Sequence, residues 1–479
     1  MNPTDDFAKL DQQYVWHPFT PMKQWRESDP LIIDRAEGFR LIDTQGRRYI
    51  DGVSSLWCNV HGHRVPQIDR AIREQLDKVA HTTLLGLASP PSIEFAAMLC
   101  ERVNADLTPT SSPLNKVFYS DAGATAVEVA FKMAVGYWYH TGRPEKNRFI
   151  GLAGAYHGDT TGSMSVGFSE LFHKPFVSMV FDVTSFPNPD APRALQQAEL
   201  REALTSFARD DGFPSENESL CRALGDYCLG ELKRLLEHQS DQTAAVVIEP
   251  VMQGAAGMIC QPPGFVKGVR ELCDQYDVLL IADEVATGFG RTGTLFACEH
   301  DGISPDILCL AKGISGGYLP LAATLTTDRI EQAFCGELDE RRTLYHGHTY
   351  TGNPLACAAA IASLKLFDEN RVIEHVNQSA RMIRDKLAIL RDHPHVLDIR
   401  QRGLMVGIEL CRDRSHAESF DFAARTGARI CHAMRDHGLI LRPLGDTLVL
   451  MPAPAMDHDT LNQMLDIVLL TLRDWRFGQ

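Results

Sequence analysis

The feature that most constrains the fold is an alternation of short apolar runs with helical stretches, which begins near residue 90. Amphipathic helical stretches such as 125–139 and 265–276 separate the apolar runs. The runs are KVFYS (116–120), FIGLA (149–153), AAVVIEP (244–250), VLLIADE (278–284) and DILCLA (306–311). Such an alternation predicts a mainly parallel β-sheet with helices on both faces, so the expected fold class is α/β.

The length of the chain and a change of pattern along it predict two domains. A chain of 479 residues is too long for a single compact core. We predict a large domain over residues 54–370 and a smaller α+β domain built from 1–53 and 371–479. The segment 188–240 begins with Pro, Asp and Asn residues and continues with a polar stretch. We interpret it as a surface insertion of the large domain.

Composition and charge argue against several classes of protein. The formal net charge of −15 disfavours binding to nucleic acid. No run of 18 or more apolar residues is present, so we expect no membrane span. The 12 cysteines are scattered and the N-terminus resembles no secretion signal. These features predict a cytoplasmic protein with reduced thiols.

Two charged residues end neighbouring apolar runs and are candidates for one site. Asp283 ends VLLIAD, and Lys312 follows DILCLA before the glycine-rich GISGG. Ligands of open α/β sheets bind at the carboxyl ends of the strands. A lysine can form an imine with an aldehyde cofactor, and a carboxylate can keep a pyridine nitrogen protonated. Two unrelated charges at strand ends are the alternative.

Glycine-rich segments suggest two possible phosphate sites. GFGRTG (288–293) spells a dinucleotide-binding pattern, but Pro305 interrupts the chain where the pattern needs a following strand, so we favour a glycine-rich active-site loop. In SDAGATAVEVA (120–130), Gly123 and Ala124 precede a strong helix. The helix N-terminus could bind a phosphate group, or the segment could be an ordinary strand-to-helix turn.

Three polar loops contain further candidates. Tyr156 could cover one face of a planar cofactor, while His157 and Asp159 could form a hydrogen-bonded pair. The two histidines of HGHTYTGNP (346–354) lack a third ligand at a suitable spacing, so no metal site is predicted. Arg442 could bind a carboxylate or form a surface salt bridge.

Taken together, these motifs resemble those of the class III pyridoxal-phosphate aminotransferases along the whole chain. The matching segments occur in order: DGVSSLWCNVHGH, YSDAGATAVEVA, AYHGDTTGSMSVG, IEPVMQGAAGM, IADEVATGFGRTG, PDILCLAKGISGGYLP, HGHTYTGNPLACAAA and LRPLG. The resemblance implies the fold of the type I pyridoxal-phosphate enzymes, pyridoxal 5′-phosphate as cofactor, and a homodimer with active sites shared between subunits.

The resemblance also implies a role for each matching residue. The catalytic residues would be Lys312, which holds the cofactor and moves the proton, Asp283, which pairs with the pyridine nitrogen, and Tyr156. Besides these, the residues implied to bind the cofactor are Gly123, Ala124, Glu249, His348 and Thr349, the last from the neighbouring subunit. The residues implied to bind the substrate are Phe19, Trp57, Tyr156, Gly347 and Arg442.

Two segments narrow the activity that the resemblance implies. WHPFTPMKQW (16–25) and SSLW (54–57) are most similar to the subgroup that aminates 8-amino-7-oxononanoate to 7,8-diaminononanoate in biotin biosynthesis. The usual amino donor of that subgroup is S-adenosylmethionine. Lysine as donor, another class III ω-aminotransferase and a non-catalytic regulator are the alternatives; a nicotinamide oxidoreductase is suggested only by GFGRTG.

Overall fold

The computed structural model describes residues 3–106, 112–194 and 213–477, and these contain 17 β-strands. In chain order the strands are β1 (Ile33–Glu37), β2 (Arg40–Asp43), β3 (Arg48–Asp51), β4 (Leu114–Ser120), β5 (Arg148–Leu152), β6 (Thr184–Phe186), β7 (Thr243–Ile248), β8 (Met252–Gln253), β9 (Ile259–Cys260), β10 (Leu279–Asp283), β11 (Ile307–Leu310), β12 (Ala322–Thr327), β13 (Val396–Arg402), β14 (Met405–Leu410), β15 (Leu439–Ile440), β16 (Arg442–Leu444) and β17 (Thr447–Leu450).

A seven-stranded sheet forms the centre of the large domain, with the order β4-β12-β11-β10-β7-β5-β6. Strands β11, β10, β7, β5 and β6 are parallel. Strand β12 runs antiparallel to both of its neighbours, β4 and β11. The sheet is therefore mainly parallel, and the predicted α/β fold class is confirmed.

Side chains from the central strands alternate between two cores, one on each face of the sheet. In β10, Leu280 and Ala282 belong to the larger core, whereas Leu279 and Ile281 belong to the other. Every residue of β10 is buried. A strand that is covered on both faces needs apolar residues at consecutive positions, which explains the unbroken apolar run in the sequence.

Helices cover both faces of this sheet, and the helical stretches of the sequence are helices in the structure. Gly123–His140 buries Val127, Ala130 and Ala134 in the smaller core. Among the described residues, the helices of at least eight residues are Pro3–Tyr14, Pro66–Leu76, Pro90–Asp106, Gly123–His140, Glu218–Gln239, Phe265–Gln275, Pro354–Glu369, Val372–Leu387, Thr426–Ala433 and His458–Asp474. None of the described helices is long and apolar enough to cross a membrane.

Two four-stranded sheets contain the strands outside the central sheet, apart from the short β8–β9 hairpin. One has the order β1-β2-β3-β15 and the other has the order β13-β14-β17-β16. Because β15 pairs in parallel with β3, residues from both ends of the chain share one sheet. This pairing agrees with a small domain formed by both termini, although the predicted boundaries at 53 and 370 stay a prediction.

The segment interpreted as a surface insertion, 188–240, contains a long helix, Glu218–Gln239. Six of its residues are buried: Leu220, Leu224, Gly225, Cys228, Leu232 and Leu236. Cys228, Leu232 and Leu236 belong to the larger core of the sheet. This helix is therefore part of the α/β layer rather than a surface addition. Residues 195–212 lie outside the described residues.

A buried ionic network connects the 188–240 segment to the small domain. The guanidinium of Arg400, which is 2% exposed, donates to Glu409, to Asp398 and to the carbonyl oxygen of Gly257. Glu409 also accepts a hydrogen bond from Arg193 at 3.0 Å. Two carboxylates can be buried here because a guanidinium lies between them.

We expect Arg400→Met to destabilise the protein by about 3–5 kcal/mol, because it leaves the buried Asp398 without a cation and Glu409 with Arg193 alone. Urea unfolding followed by circular dichroism measures this loss. The matched control is Arg35→Met, which removes an exposed ion pair with Asp34 and is expected to cost less than about 1 kcal/mol. Equal losses in the two variants would contradict a stabilising role for the buried network.

Candidate active site

A cavity of about 670 Å³ lies at the carboxyl edge of the central sheet. Strands β4, β5, β7, β10 and β11 all end at this edge, and each is followed by residues that line the cavity. The lining includes Trp57, Cys58, Gly123, Ala124, Tyr156, His157, Asp159, Glu249, Asp283, Lys312 and Ser315. The structure thus brings together seven of the predicted site residues, including the lysine and the aspartate.

Lys312 holds a mostly buried amine that lacks an acidic partner. Among the described residues, no carboxylate lies within ion-pair distance of its Nζ, which is 4.9 Å from the centre of the Trp57 ring. Burial lowers the pKa of Lys312, and this effect outweighs the opposing charges of Asp283 and Glu249. A larger fraction of the amine is therefore neutral and nucleophilic than for an exposed lysine.

Asp283 is held by two hydrogen bonds. Its Oδ2 accepts from Nδ1 of His157 at 2.7 Å, and its Oδ1 accepts from the backbone N–H of Val285 at 3.0 Å. Burial alone would lower the pKa of His157, but the hydrogen bond and charge of Asp283 raise it, with help from Glu249. Of the two possibilities for His157, the pair with Asp159 is not formed, because His157 bonds Asp283; Asp159 accepts from the hydroxyl of Tyr156 at 2.8 Å.

Glu249 is a second buried carboxyl group beside the lysine. Its two oxygens accept from the backbone N–H groups of Tyr156, at 3.1 Å, and Gly254, at 2.9 Å. Burial raises the pKa of Glu249 to about 7, and the charge of Asp283 acts in the same direction. Glu249 therefore fixes the backbone of Tyr156 and of the segment that faces Trp57.

The helix Gly123–His140 begins at the cavity. The first N–H groups of a helix have no intrahelical acceptor, and the helix dipole makes them attractive to an anion. A Cβ atom at Gly123 would lie 2.5 Å from a methyl group of Val285, so only glycine fits at this position. This close approach lets the loop after β10 pack against the start of the helix at the edge of the cavity.

Trp57 reaches the cavity through a backbone conformation that the sequence does not predict. Ser54, Ser55, Leu56 and Trp57 all have positive φ angles, of 51°, 49°, 71° and 70°. The sequence SSLW does not indicate a left-handed turn, because it contains no glycine or asparagine. The position of Trp57 is therefore determined by tertiary contacts rather than by the backbone preferences of residues 54–57.

Five predicted site residues do not line this cavity in the single chain. Gly347 and His348 line a different cavity, of about 460 Å³, together with Leu84, Leu85 and Phe118. Thr349, Phe19 and Arg442 are exposed. The centres of the Phe19 and Phe172 rings lie 5.7 Å apart with the ring planes perpendicular, and Arg442 begins the short strand β16.

Another cavity, of about 630 Å³, lies between the 188–240 segment and β13 and contains no predicted site residue. We assign the chemistry to the Lys312 cavity because the amine, the carboxylates and the helix N-terminus meet there. In the described part of the chain, no group of three or more His, Cys, Asp or Glu side chains could hold a metal ion.

The residues of the Lys312 cavity fit pyridoxal 5′-phosphate. An amine without an acidic partner can bond to the aldehyde, and the Asp283 carboxylate can face the ring nitrogen. The N-terminus of the helix Gly123–His140 suits the phosphate, and Tyr156 offers an aromatic surface. The cavity therefore offers a group suited to each part of the cofactor: its aldehyde, its ring nitrogen, its phosphate and its aromatic face.

Comparison with known proteins agrees with this arrangement. Residues 22–472 match the family model described as Aminotransferase class-III. The adenosylmethionine-8-amino-7-oxononanoate aminotransferase of Geobacter sulfurreducens is 46% identical, over 97% of this chain and 96% of the relative. The crystal structure of the enzyme of that name from Methanocaldococcus jannaschii has a TM-score of 0.87 and 40% identity, and it covers 98% of this chain and 99% of its own.

A neighbour with a different name shares the same fold. The amine transaminase from an uncultivated Pseudomonas species, in its PLP-bound form, has a TM-score of 0.86 and 31% identity, over 96% of this chain and 98% of its own. The family match spans most of the chain, and these relatives align over nearly their whole lengths. This chain belongs to the class III aminotransferases, which depend on pyridoxal phosphate.

Proposed function

We propose that this chain transfers an amino group to 8-amino-7-oxononanoate and so forms 7,8-diaminononanoate, a step of biotin biosynthesis. The observation that carries the proposal is the shared cavity of Lys312 and Asp283 in a class III chain. The acceptor is supported by the names of relatives that are 46% and 49% identical to this chain. The same names support S-adenosylmethionine as the donor, with lysine as the alternative.

Lys312 is proposed to hold the cofactor and to move the reacting proton. Pyridoxal phosphate, when bound, supplies an electron sink that makes a proton on the carbon next to the amino group removable. The Lys312 amine lies inside the cavity and its pKa is lowered by burial, so it can accept that proton and return it on another atom. The same amine serves the donor and the acceptor half of the reaction in turn.

Asp283 is proposed to keep the ring nitrogen protonated. Its carboxylate is oriented by Nδ1 of His157 and by the N–H of Val285. The Nδ1 of His157 must be the donor, because a carboxylate only accepts. The hydrogen bond and charge of Asp283 raise the pKa of His157, so Nδ1 keeps the proton that it donates to the carboxylate.

The remaining residues are proposed to bind and orient. Gly123 and Ala124 offer backbone N–H groups to the phosphate, and Tyr156 and Trp57 face the rest of the cavity. Glu249 holds the backbone of Tyr156 in place. We propose that Phe19 contacts the substrate and that Arg442 binds its carboxylate, although neither lines the cavity in the single chain.

We also propose a homodimer in which each chain completes the other's site. Gly347 and His348 lie in a separate cavity, and the nearby Leu85 and Tyr345 are 77% and 68% exposed apolar side chains. A second copy would cover these side chains and receive Gly347, His348 and Thr349 at its own cofactor. A cytoplasmic location is supported by the 12 cysteines, which are all unpaired.

Lys312→Ala is expected to lower the turnover number by a factor on the order of 10⁴, because it removes both the covalent link and the proton carrier. Cofactor binding through the phosphate contacts should remain, but borohydride should no longer fix the cofactor to the protein. Mass spectrometry after reduction measures the link. The control is Lys365→Ala, an exposed lysine that pairs with Glu94 and should leave both properties unchanged. Near-normal turnover of Lys312→Ala would refute the assignment.

An assay with purified acceptor tests the substrate. With 8-amino-7-oxononanoate and S-adenosylmethionine we expect 7,8-diaminononanoate, detected by chromatography, and little product with lysine. Product formed with lysine but not with S-adenosylmethionine would contradict the proposed donor and still support the proposed acceptor. Amination of other ketones in preference to 8-amino-7-oxononanoate would favour another class III ω-aminotransferase. No transamination with any pair, despite bound cofactor, would favour a non-catalytic regulator.

Mixed dimers test whether Thr349 acts in the neighbouring site. Lys312→Ala and Thr349→Ala protomers are mixed at a cofactor concentration at which each variant alone is inactive. If Thr349 serves the partner, one site of each mixed dimer has both wild-type residues, and about a quarter of the wild-type activity should return after random exchange. If Thr349 serves its own chain, no site regains both residues. Absence of recovery, with exchange verified by native mass spectrometry, would contradict the shared site.

A further inference from the structure

The turn that carries Trp57 has an unfavourable backbone. All four residues from Ser54 to Trp57 are left-handed, a conformation that brings Cβ close to the next carbonyl oxygen. The turn is closed by the N–H of Trp57, which donates to the carbonyl of Val53 at 2.7 Å, and by that of Cys58, which donates to Ser54. Because the isolated segment would not adopt this shape, contacts from outside must stabilise it.

Asp51 provides one of these contacts. Its Oδ1 accepts from the N–H of Ser55 at 2.9 Å, and its Oδ2 accepts from the hydroxyl of Ser55 at 2.7 Å and from Nε2 of His63. Burial alone would raise the pKa of Asp51, but the hydrogen bonds from His63 and Ser55 lower it. Asp51 therefore anchors the exposed side of the turn.

Arg291 provides the other contact, from the buried side. It is 1% exposed, and its guanidinium donates to the hydroxyl of Ser54 at 3.2 Å and to the carbonyls of Pro452, at 2.7 Å, and Asn59, at 2.8 Å. The hydroxyl of Ser54 in turn donates to the carbonyl of Met451 at 2.6 Å. One side chain thus joins both ends of the turn to the end of strand β17.

This guanidinium has no counter-ion beside it. No carboxylate among the described residues lies within ion-pair distance of Arg291, and its Nε has no hydrogen-bond partner there. Burial lowers the pKa of Arg291 to about 10 and outweighs the opposing charges of Cys58 and Asp51. A buried, unpaired cation is a poor means of stabilising a fold, so its position next to the site needs another explanation.

We propose that Arg291 is a positioning residue that fixes the left-handed turn Ser54–Trp57 and thereby holds the Trp57 ring against the Lys312 amine. The turn ends at Trp57, whose ring centre is 4.9 Å from Nζ of Lys312. Trp57 also packs against a buried hydrophobic cluster that contains Met252, Met405 and Met451. The inference rests on the proposed function, in which Trp57 contacts the substrate and Lys312 holds the cofactor.

The charge of Arg291 acts on Lys312 as well. Four charged or titratable groups affect the amine most: Asp283, Glu249 and Cys58 raise the pKa of Lys312, whereas Arg291 lowers it together with burial. A lysine at position 291 would keep this charge but could not reach three acceptors at once. A methionine at position 291 would remove both the charge and the hydrogen bonds. The two substitutions therefore separate the charge from the positioning.

The test measures the environment of the Trp57 ring and the titration of the Lys312 amine, both in the apoprotein. The contribution of Trp57 to the near-ultraviolet circular dichroism is obtained by subtracting the spectrum of Trp57→Phe. We expect Arg291→Met and Arg291→Lys to lose this contribution. The pH midpoint for trace acetylation of Lys312 by acetic anhydride should rise in Arg291→Met and rise less in Arg291→Lys. In the holoenzyme, both variants should raise KM for the amino acceptor by about tenfold or more.

The matched control is Arg270→Met, which also removes a buried arginine but one that pairs with Asp274 and Asp306. It should lower the unfolding midpoint and leave the Trp57 signal and the Lys312 midpoint unchanged. A folded Arg291→Met with the wild-type Trp57 signal would overturn the proposal. Should Arg291→Met not fold, Ser54→Ala removes one bond of the same anchor, and an unchanged Trp57 signal there would overturn it equally.

The apoprotein measurement also separates this inference from the proposed function. The Trp57 signal requires neither cofactor nor substrate, so it reports on the turn alone. If the signal is lost in the Arg291 variants but wild type aminates no ketone, the turn is anchored as inferred and the proposed function fails. If wild type is active and the signal persists in the variants, the proposed function holds and the role of Arg291 fails.

Discussion

The active site depends on the burial of a lysine amine between carboxyl groups with which it forms no ion pair. Strands β10 and β11 pair in parallel with Asp283 opposite Cys309, and Lys312 lies three residues beyond Cys309, at the start of a short 3-10 helix. An ion pair with a carboxylate would compensate the charge of the Lys312 ammonium group and so keep the amine protonated. Both groups line the same cavity, and burial lowers the pKa of Lys312.

The hydrogen bond between His157 and Asp283 links two strands at this edge. His157 follows β5 and Asp283 ends β10, and β7 lies between them, with Glu249 directly after it. The histidine makes the aspartate a fixed acceptor, and Glu249 fixes Tyr156 beside it through the backbone. The orientation of the carboxylate is therefore set by neighbours on other strands. Preorganised polar groups of this kind need no rearrangement when charge develops in a reaction.

The fold and the centre of the site are predictable from the sequence because they follow from local patterns. Apolar runs covered on both faces predict a parallel sheet, and the carboxyl ends of such strands predict that Asp283 and Lys312 share a cavity. Spacing along the chain left a pair of His157 with Asp159 as one of two possibilities, and it could not indicate Asp283, which tertiary structure brings to the ring. The buried helix Glu218–Gln239 was also missed, because its flanking polar segment resembles an insertion. No local pattern indicates the left-handed turn or its anchor at Arg291.

Arg400 and Arg291 are both buried, but their charges are treated in different ways. Arg400 lies between Asp398 and Glu409, and these two carboxylates compensate its charge. Arg291 has only uncharged acceptors, next to four residues with unfavourable φ angles and near Lys312, which itself has a φ of 44°. Backbone strain and an uncompensated charge both reduce stability, and here they occur together at the edge of one cavity. Selection for stability alone would remove them, so their concentration beside the lysine indicates that the geometry of the site requires them.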